Sequence, residues 1–202
     1  MNKVFLGVPC SEFIEPECFK SIFFLKRPEN TIIGFNYIRG YDCAMARNLL
    51  VDFAINHGAT HILMLDSDNT IPADGLEKLL SANRDIVFGW CPLKGDKTKS
   101  NFYEFRDGET DFPITSATPV DDLVGAGDNG IIKLRGAGMA CALIKTSVFE
   151  KMPKNRRFQY ILHEDGTSLS EDLFFCEIAK SMGFELWGHT GVRCGHIAKV
   201  VL

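Results

Sequence analysis

No run of apolar residues in this chain approaches the roughly 18–20 positions that cross a bilayer. The 202 residues also hold no internal repeat and no low-complexity tract. A membrane-spanning anchor and a fibrous or disordered assembly are therefore not expected. The opening stretch MNKVFLGVPC carries one Lys and breaks at Pro9, ahead of Ser11 and Glu12, so it does not read as a secretory leader. Excess positive charge is missing too. With 22 Lys and Arg against 26 Asp and Glu the net charge is −4, which argues against broad nucleic-acid or polybasic membrane binding. Seven cysteines, at 10, 18, 43, 91, 141, 176 and 194, form an odd, scattered set without a C-x-x-C pair. That spacing speaks against a cysteine zinc site and for free thiols in a reducing cytoplasm.

What the chain does have is core material. Hydrophobic residues make up 46%, including 16 Phe, and the length suits a single domain over 1–202. A chain of this size buries roughly 70% of its unfolded surface without needing a disulfide or metal to fold. Residues 3–8 (KVFLGV) read as a buried first strand ending at Pro9. Residues 44–56 carry Ala46, Leu49, Leu50, Phe53 and Ala54 at helical spacing, with Gly58 as the stop. HILML, 61–65, is a continuous apolar run of the kind covered on both faces of a sheet. A helix over 72–82, opening near Pro72, and a strand over 85–90 follow. The alternation of strands and helices predicts an α/β three-layer sandwich around a mainly parallel central sheet. Residues 91–129 lose periodicity and read as a long loop, excursion or lid. Strands at 131–135 and 139–145, helices at 146–152 and 171–182, and a strand near 184–187 complete the pattern.

Chemistry-bearing residues collect at three places. LMLDSDNT, 63–70, puts Asp66 and Asp68 at the end of an apolar run, the edge where α/β sheets gather ligands. Two carboxylates there make a hard-oxygen site suited to Mg²⁺ or Mn²⁺, or else they cap the following turn. SLSEDLFF places Glu171 and Asp172 at a helix start, and Ser168-x-x-Glu171 matches a capping box. VRCGHI, 192–197, contributes His196, either a packed imidazole or a third metal ligand.

In this order, those residues resemble a GT-A-fold glycosyltransferase, similar to family 2 and its bacterial or phage relatives. The likeness rests on Val8-Pro9 after the first strand, Ala46-Arg47-Asn48 opening a helix, and Asp66-x-Asp68. It continues through GAGMACALIKTSVFEKM, 136–152, then Glu171-Asp172 and the late His196. The resemblance implies transfer of a hexose from a nucleotide-sugar, in the first instance a UDP-sugar, to a hydroxyl acceptor. Asp66, Asp68 and His196 would hold Mn²⁺ or Mg²⁺ against the diphosphate. Asp172 would be the base of an inverting reaction, with Glu171 orienting the site. Pro9, Ser11, Glu12, Arg47, Asn48 and Ser67 would surround the nucleotide. Gly136 and Gly138 would admit the sugar, and Trp90 would either carry a sugar ring or sit in the core.

Departures accompany the likeness. Cys10-Ser11-Glu12 stand where relatives carry aromatic or apolar residues, and no G-x-F-D-E precedes the Glu171-Asp172 pair. Glu164-Asp165 is a rival acidic pair, followed by a Gly rather than a helix. Only six residues follow His196, so acceptor contacts are expected from a partner, a second copy or the 91–129 segment. LMLDSDNT also resembles the nucleophile motif of haloacid-dehalogenase phosphatases, with GAGDNG, 125–130, as a second acidic loop and Asp66 as nucleophile. That motif normally opens its domain, whereas 65 residues precede Asp66 here. A third reading is a sugar-nucleotide-binding module of the same fold that has no activity.

Overall fold

The computed structural model describes residues 1–103 and 117–198. In chain order the principal elements are β1 (Asn2–Cys10), α1 (Pro16–Phe23), β2 (Thr31–Arg39), α2 (Cys43–Asn56), β3 (His61–Leu65), α3 (Gly75–Ser81) and β4 (Ile86–Trp90). They continue with β5 (Ile131–Leu134), β6 (Cys141–Lys145), α4 (Thr146–Lys151), α5 (Glu171–Ser181) and β7 (Leu186–Arg193). The strands form one seven-stranded sheet in the order β2-β1-β3-β6-β4-β7-β5. Strands β2, β1, β3, β4 and β7 run one way, while β6 and β5 oppose them. The sheet is therefore mixed but mainly parallel, as the sequence pattern implies.

Period-two alternation assigns each strand residue to a face. Phe5, Ile62, Met64, Phe88 and Ala142 point to the side covered by α2, α4 and α5, where they meet Leu50, Val51, Phe149 and Phe175. Val4, Leu6, Val8, Leu63, Leu65 and Val87 point to the other side, against Cys18 of α1 and Leu76 and Leu79 of α3. Helices on both faces make the three layers. An aromatic cluster anchors α5. The Phe158 and Phe175 rings stack at 5.0 Å, and Phe149 lies 5.6 Å from Phe175.

Strand β3 pairs with β1 only from Val4 to Gly7. Pro9 therefore sits past the end of that ladder, where its missing N–H costs nothing on the β3 side. Helix α2 starts at Asp42, whose carboxylate accepts from the Met45 N–H at 2.9 Å.

Several elements differ from the sequence reading. Helix α1 and edge strand β2 lie in residues 11–42, where no clear periodicity marks them. Helix α3 begins at Gly75 rather than at Pro72, whose carbonyl instead closes the preceding turn by accepting from Gly75 N–H at 2.8 Å. Strand β7 runs on to Arg193, through Gly188, His189 and Gly191, with a register shift between His189 and Arg193 against β4. The capping box does not form. Ser170, not Ser168, is the N-cap of α5, and its hydroxyl donates to Asp172. Ser168 belongs to a two-residue ladder with Ile161–Leu162.

The 91–129 segment is less open than its composition suggests. Phe102–Tyr103 pairs with Gly136–Ala137, and Ser100, Asn101, Phe102, Thr118 and Leu123 are buried. Residues 104–116 of the expected lid lie outside the described residues, as do 199–202. Phe175→Ala is expected to cost about 3–5 kcal/mol by opening a cavity between α5 and the sheet. It should lower the urea midpoint at unchanged slope, and a loss under about 1 kcal/mol would contradict this packing.

Candidate active site

Strand β3 delivers its last apolar residue at Leu65, and the backbone then turns, with Asn69 N–H donating to the Asp66 carbonyl at 3.0 Å. Asn69–Thr70 next pairs antiparallel with Gly195–His196, matching His196 to Asn69 and Gly195 to Thr70. Ile197 N–H adds a bond to the Asp68 carbonyl at 2.8 Å. This short ladder brings together residues more than a hundred positions apart. His196 Nε2 stands 3.8 Å from Asp68 Oδ2, and His196 Nδ1 lies 3.0 Å from the Pro92 carbonyl. A carbonyl on Nδ1 favours the tautomer that leaves Nε2 free to act as a ligand.

The two aspartates of the motif have different surroundings. Asp66 Oδ1 accepts from Arg47 Nη2 at 2.7 Å, and Arg47 Nη1 donates to Glu171. This guanidinium is 2% exposed and rests against the Phe158 ring. Burial pushes the Asp66 carboxyl up, opposed by Arg47. Asp68 is more open. Its Oδ1 accepts from Asn69 Nδ2 at 3.0 Å, and its Oδ2 receives the Lys94 ammonium at 2.5 Å. His196 and then Lys94 hold Asp68 well below the usual carboxylate range, and Asp68 in turn raises His196.

At the start of α5, Asp172 Oδ1 accepts from the Ser170 hydroxyl and from Leu173 N–H at 2.8 Å. Its Oδ2 faces Gly138, where an added Cβ would come within 3.4 Å of it. Gly138 is bracketed by Asn101, bonding to its carbonyl oxygen through Nδ2 at 2.9 Å. Tyr103 is raised by burial and by Asp172. Tyr160 is raised by burial and by the charge of Glu171.

A cavity of about 220 Å³ opens beside the motif, lined among others by Pro9, Ser11, Tyr41, Asp66, Ser67 and Asp68. The structure thus gathers Pro9, Ser11 and Ser67 with both aspartates, and joins Asp68 to His196. Four expected site residues stand elsewhere. Glu12 lines a separate groove with Phe13, Phe35 and Tyr37. Arg47 is consumed by its two carboxylates and presents no face to the cavity. Asn48 donates to the Phe158 carbonyl at 2.9 Å and borders a different hollow with Met45 and Tyr160. Trp90 is 4% exposed, its indole N–H bonds the Thr190 carbonyl at 2.7 Å, and Arg193 covers its ring, so it is a core residue and no sugar platform. Gly136 is buried in the short ladder with Tyr103. The sequence reading missed Lys94, Tyr41, Asn101 and Tyr103. Of these only Lys94 leaves a trace, as a basic residue four positions after a strand's carboxyl end.

Among the described residues no group of three or more His, Cys, Asp and Glu side chains is arranged to hold a metal ion. Arg47 engages Asp66 Oδ1, while a carboxylate oxygen of Asp68 and an imidazole nitrogen of His196 face each other. These two donors suit a divalent ion that takes its remaining ligands from a bound molecule. The ammonium of Lys94 on Asp68 Oδ2 marks a position where a cation is welcome.

Arg47→Met strips a shared cation from two carboxylates and is expected to cost about 3–5 kcal/mol of folding stability. A loss below about 1 kcal/mol by urea denaturation would show that the bridge does not hold α5 to β3. Because Asp68 is depressed below its unfolded value of about 3.9, its stabilisation is complete above that pH and is lost as pH falls through the folded pKa. Asp68→Asn in EDTA-treated protein should therefore flatten the acid limb of the stability profile between about pH 5 and 2. An unaltered limb would rule out the contacts with His196 and Lys94.

No family model and no curated protein sequence matches the chain. Solved structures match it in shape. A197 from STIV aligns with a TM-score of 0.61 at 16% identity, covering 98% of this chain and 87% of that one. S. aureus TarS 1–349 in complex with UDP-GlcNAc aligns at 0.57 with 10% identity, covering 100% of this chain and 60% of that one. GalNAc-T7 with UDP, GalNAc and Mn²⁺ aligns at 0.58 with 12% identity, covering 98% of this chain and 43% of that one. This chain thus spans less than two thirds of the latter two. Identities so low speak to architecture alone, and the architecture is that of the GT-A glycosyltransferases.

Proposed function

We propose that this chain is a metal-dependent glycosyltransferase, acting as one domain, that moves a hexose from a nucleotide-sugar to a hydroxyl acceptor with inversion. The observation that carries this reading is the meeting of Asp68 and His196, 3.8 Å apart at the strand-end edge, beside the cavity lined by Pro9, Ser11 and Ser67. UDP is the nucleotide of choice, since two of the similar folds were solved with UDP-GlcNAc or with UDP and Mn²⁺.

The chain's own groups divide the work. Asp68 and His196 would hold Mn²⁺ or Mg²⁺, which when bound supplies positive charge to the departing diphosphate. Pro9, Ser11, Tyr41 and Ser67 would border the nucleoside. The acceptor oxygen forms a bond to the anomeric carbon as the bond to the diphosphate breaks. The nucleoside diphosphate leaves with the electron pair, and the acceptor's proton passes to Asp172. Asp172 Oδ2 is suited to this, being the oxygen that faces the glycine gap at Gly138. Glu171 is paired with Arg47, so it positions α5 and leaves proton transfer to its neighbour.

Supporting a place among free-thiol proteins of the cytoplasm, all seven cysteines are unpaired. Among the described residues no helix is long and apolar enough to cross a membrane. The aspartyl-phosphate alternative needs a free Asp66 nucleophile, whereas Asp66 Oδ1 is engaged by Arg47 at 2.7 Å. That contact weighs against it.

Asp68→Ala should abolish Mn²⁺-dependent UDP binding by calorimetry. Asp172→Asn should keep that binding and lower transfer by about 10²–10⁴-fold, the product of the unmodified protein showing an inverted anomeric signal by NMR. A retained configuration, or near-normal turnover of Asp172→Asn, would remove Asp172 as the base. Phosphate release from a phosphomonoester without nucleotide-sugar turnover would favour the phosphatase. Stabilisation by UDP and Mn²⁺ with no turnover of any nucleotide-sugar would favour a binding module.

A further inference from the structure

Both carboxylates of the Asp66-x-Asp68 motif carry a cation supplied by the chain, yet the two cations are held very differently. Arg47 is 2% exposed and clamped between Asp66 and Glu171. Lys94 is 54% exposed and pairs with Asp68 Oδ2 at 2.5 Å. The other Asp68 oxygen accepts from Asn69 at 3.0 Å, so both oxygens of this carboxylate are engaged. His196 Nε2 faces the same Oδ2 that Lys94 occupies. A divalent ion arriving between Asp68 and His196 therefore has to displace the ammonium.

The displacement needs only a side chain to move. The Lys94 backbone belongs to a turn closed by Leu93 N–H donating to the Lys99 carbonyl at 2.9 Å and by a bridge between Pro92 and Ser100. A solvent-exposed lysine ion pair is weak and exchanges readily. Once expelled by a divalent ion, the ammonium is repelled by it. The diphosphate that the same ion accompanies offers it negative charge, and a compact ammonium binds phosphate oxygens well.

We propose that Lys94 is a built-in counter-ion of Asp68 that opposes binding of metal alone and transfers to the donor diphosphate when metal and nucleotide enter together. This rests on the proposed glycosyltransferase activity and deepens it. Metal and nucleotide then bind as an interdependent pair, each strengthening the other by the same factor. Until then Lys94 neutralises Asp68.

The test is Lys94→Met, with Mn²⁺ binding followed by electron paramagnetic resonance of the free ion and UDP binding by calorimetry. Without nucleotide, the variant should bind Mn²⁺ more tightly, by up to about fivefold, because an exposed ion pair no longer competes. At saturating Mn²⁺ it should bind UDP about tenfold more weakly, having lost a charge-assisted contact. A purely structural lysine would move both affinities the same way. Shifts of the same sign, or no shift, with UDP–Mn²⁺ binding intact in the unmodified protein, would overturn the role of Lys94 alone. Absence of UDP binding by the unmodified protein with any divalent ion would overturn the glycosyltransferase reading together with it.

Discussion

A single buried guanidinium holds the site together. Arg47, from the first turns of α2, reaches Asp66 at the end of β3, the next element, and Glu171 at the start of α5, more than a hundred positions further on. Burying such a group is costly unless its charge is matched, and here two carboxylates match it while Phe158 covers its face. The match is incomplete, since Arg47 Nε is buried without a partner. Arg47 thereby divides the roles within Asp66-x-Asp68. One aspartate is tied to the buried Arg47 and the other to the exposed Lys94, while both stay half-open at the same edge. The same bridge also fixes the first turn of α5, and with it the orientation of Asp172.

The mixed sheet explains why this edge is concave. Antiparallel β6 lies between β3 and β4, and its first residues bring the backbone of 138–140 back across the strand ends. Asp66 N–H bonds the Ala140 carbonyl at 3.1 Å, and Gly138 N–H bonds the Asn101 carbonyl at 2.9 Å. The loop before β6, the end of β3 and the start of α5 thereby converge. Gly138 leaves room at this convergence, where an added Cβ would sit 3.3 Å from Asn101 Cβ and 3.4 Å from Asp172 Oδ2. Beneath the edge, Cys91, Cys141 and Cys194 supply small apolar packing, and burial pushes the Cys91 thiol up to about 12, out of reach of ionisation at neutral pH.

Much of this was legible in the chain. HILML read as a doubly covered strand because every residue after its leading His61 is apolar, and Asp66 and Asp68 came directly after it as strand-end carboxylates. Helix α2 and helix α5 announced themselves by periodicity. Residues 11–42 hid α1 and β2 because an edge strand interrupted by Gly34 and exposed at Phe35 and Tyr37 lacks a clean alternation. Trp90, Arg47, Asn48 and Glu12 were plausible ligand contacts by residue type and position, yet each has a different occupation in the fold. Residue type says what a group can bind. It does not say whether a guanidinium or indole has already found a partner inside the protein.

Local pattern alone thus decided the layer architecture and the strand that ends in two carboxylates, because periodicity and turn chemistry act over a few neighbouring residues. Long-range pairing decided the rest. His196 reaches Asp68 only through a two-residue ladder between Asn69–Thr70 and Gly195–His196, and Lys94 reaches it only through the turn after β4. Such contacts depend on the register of segments distant in sequence, and no local propensity encodes which of several lysines or histidines that register will bring to a given oxygen.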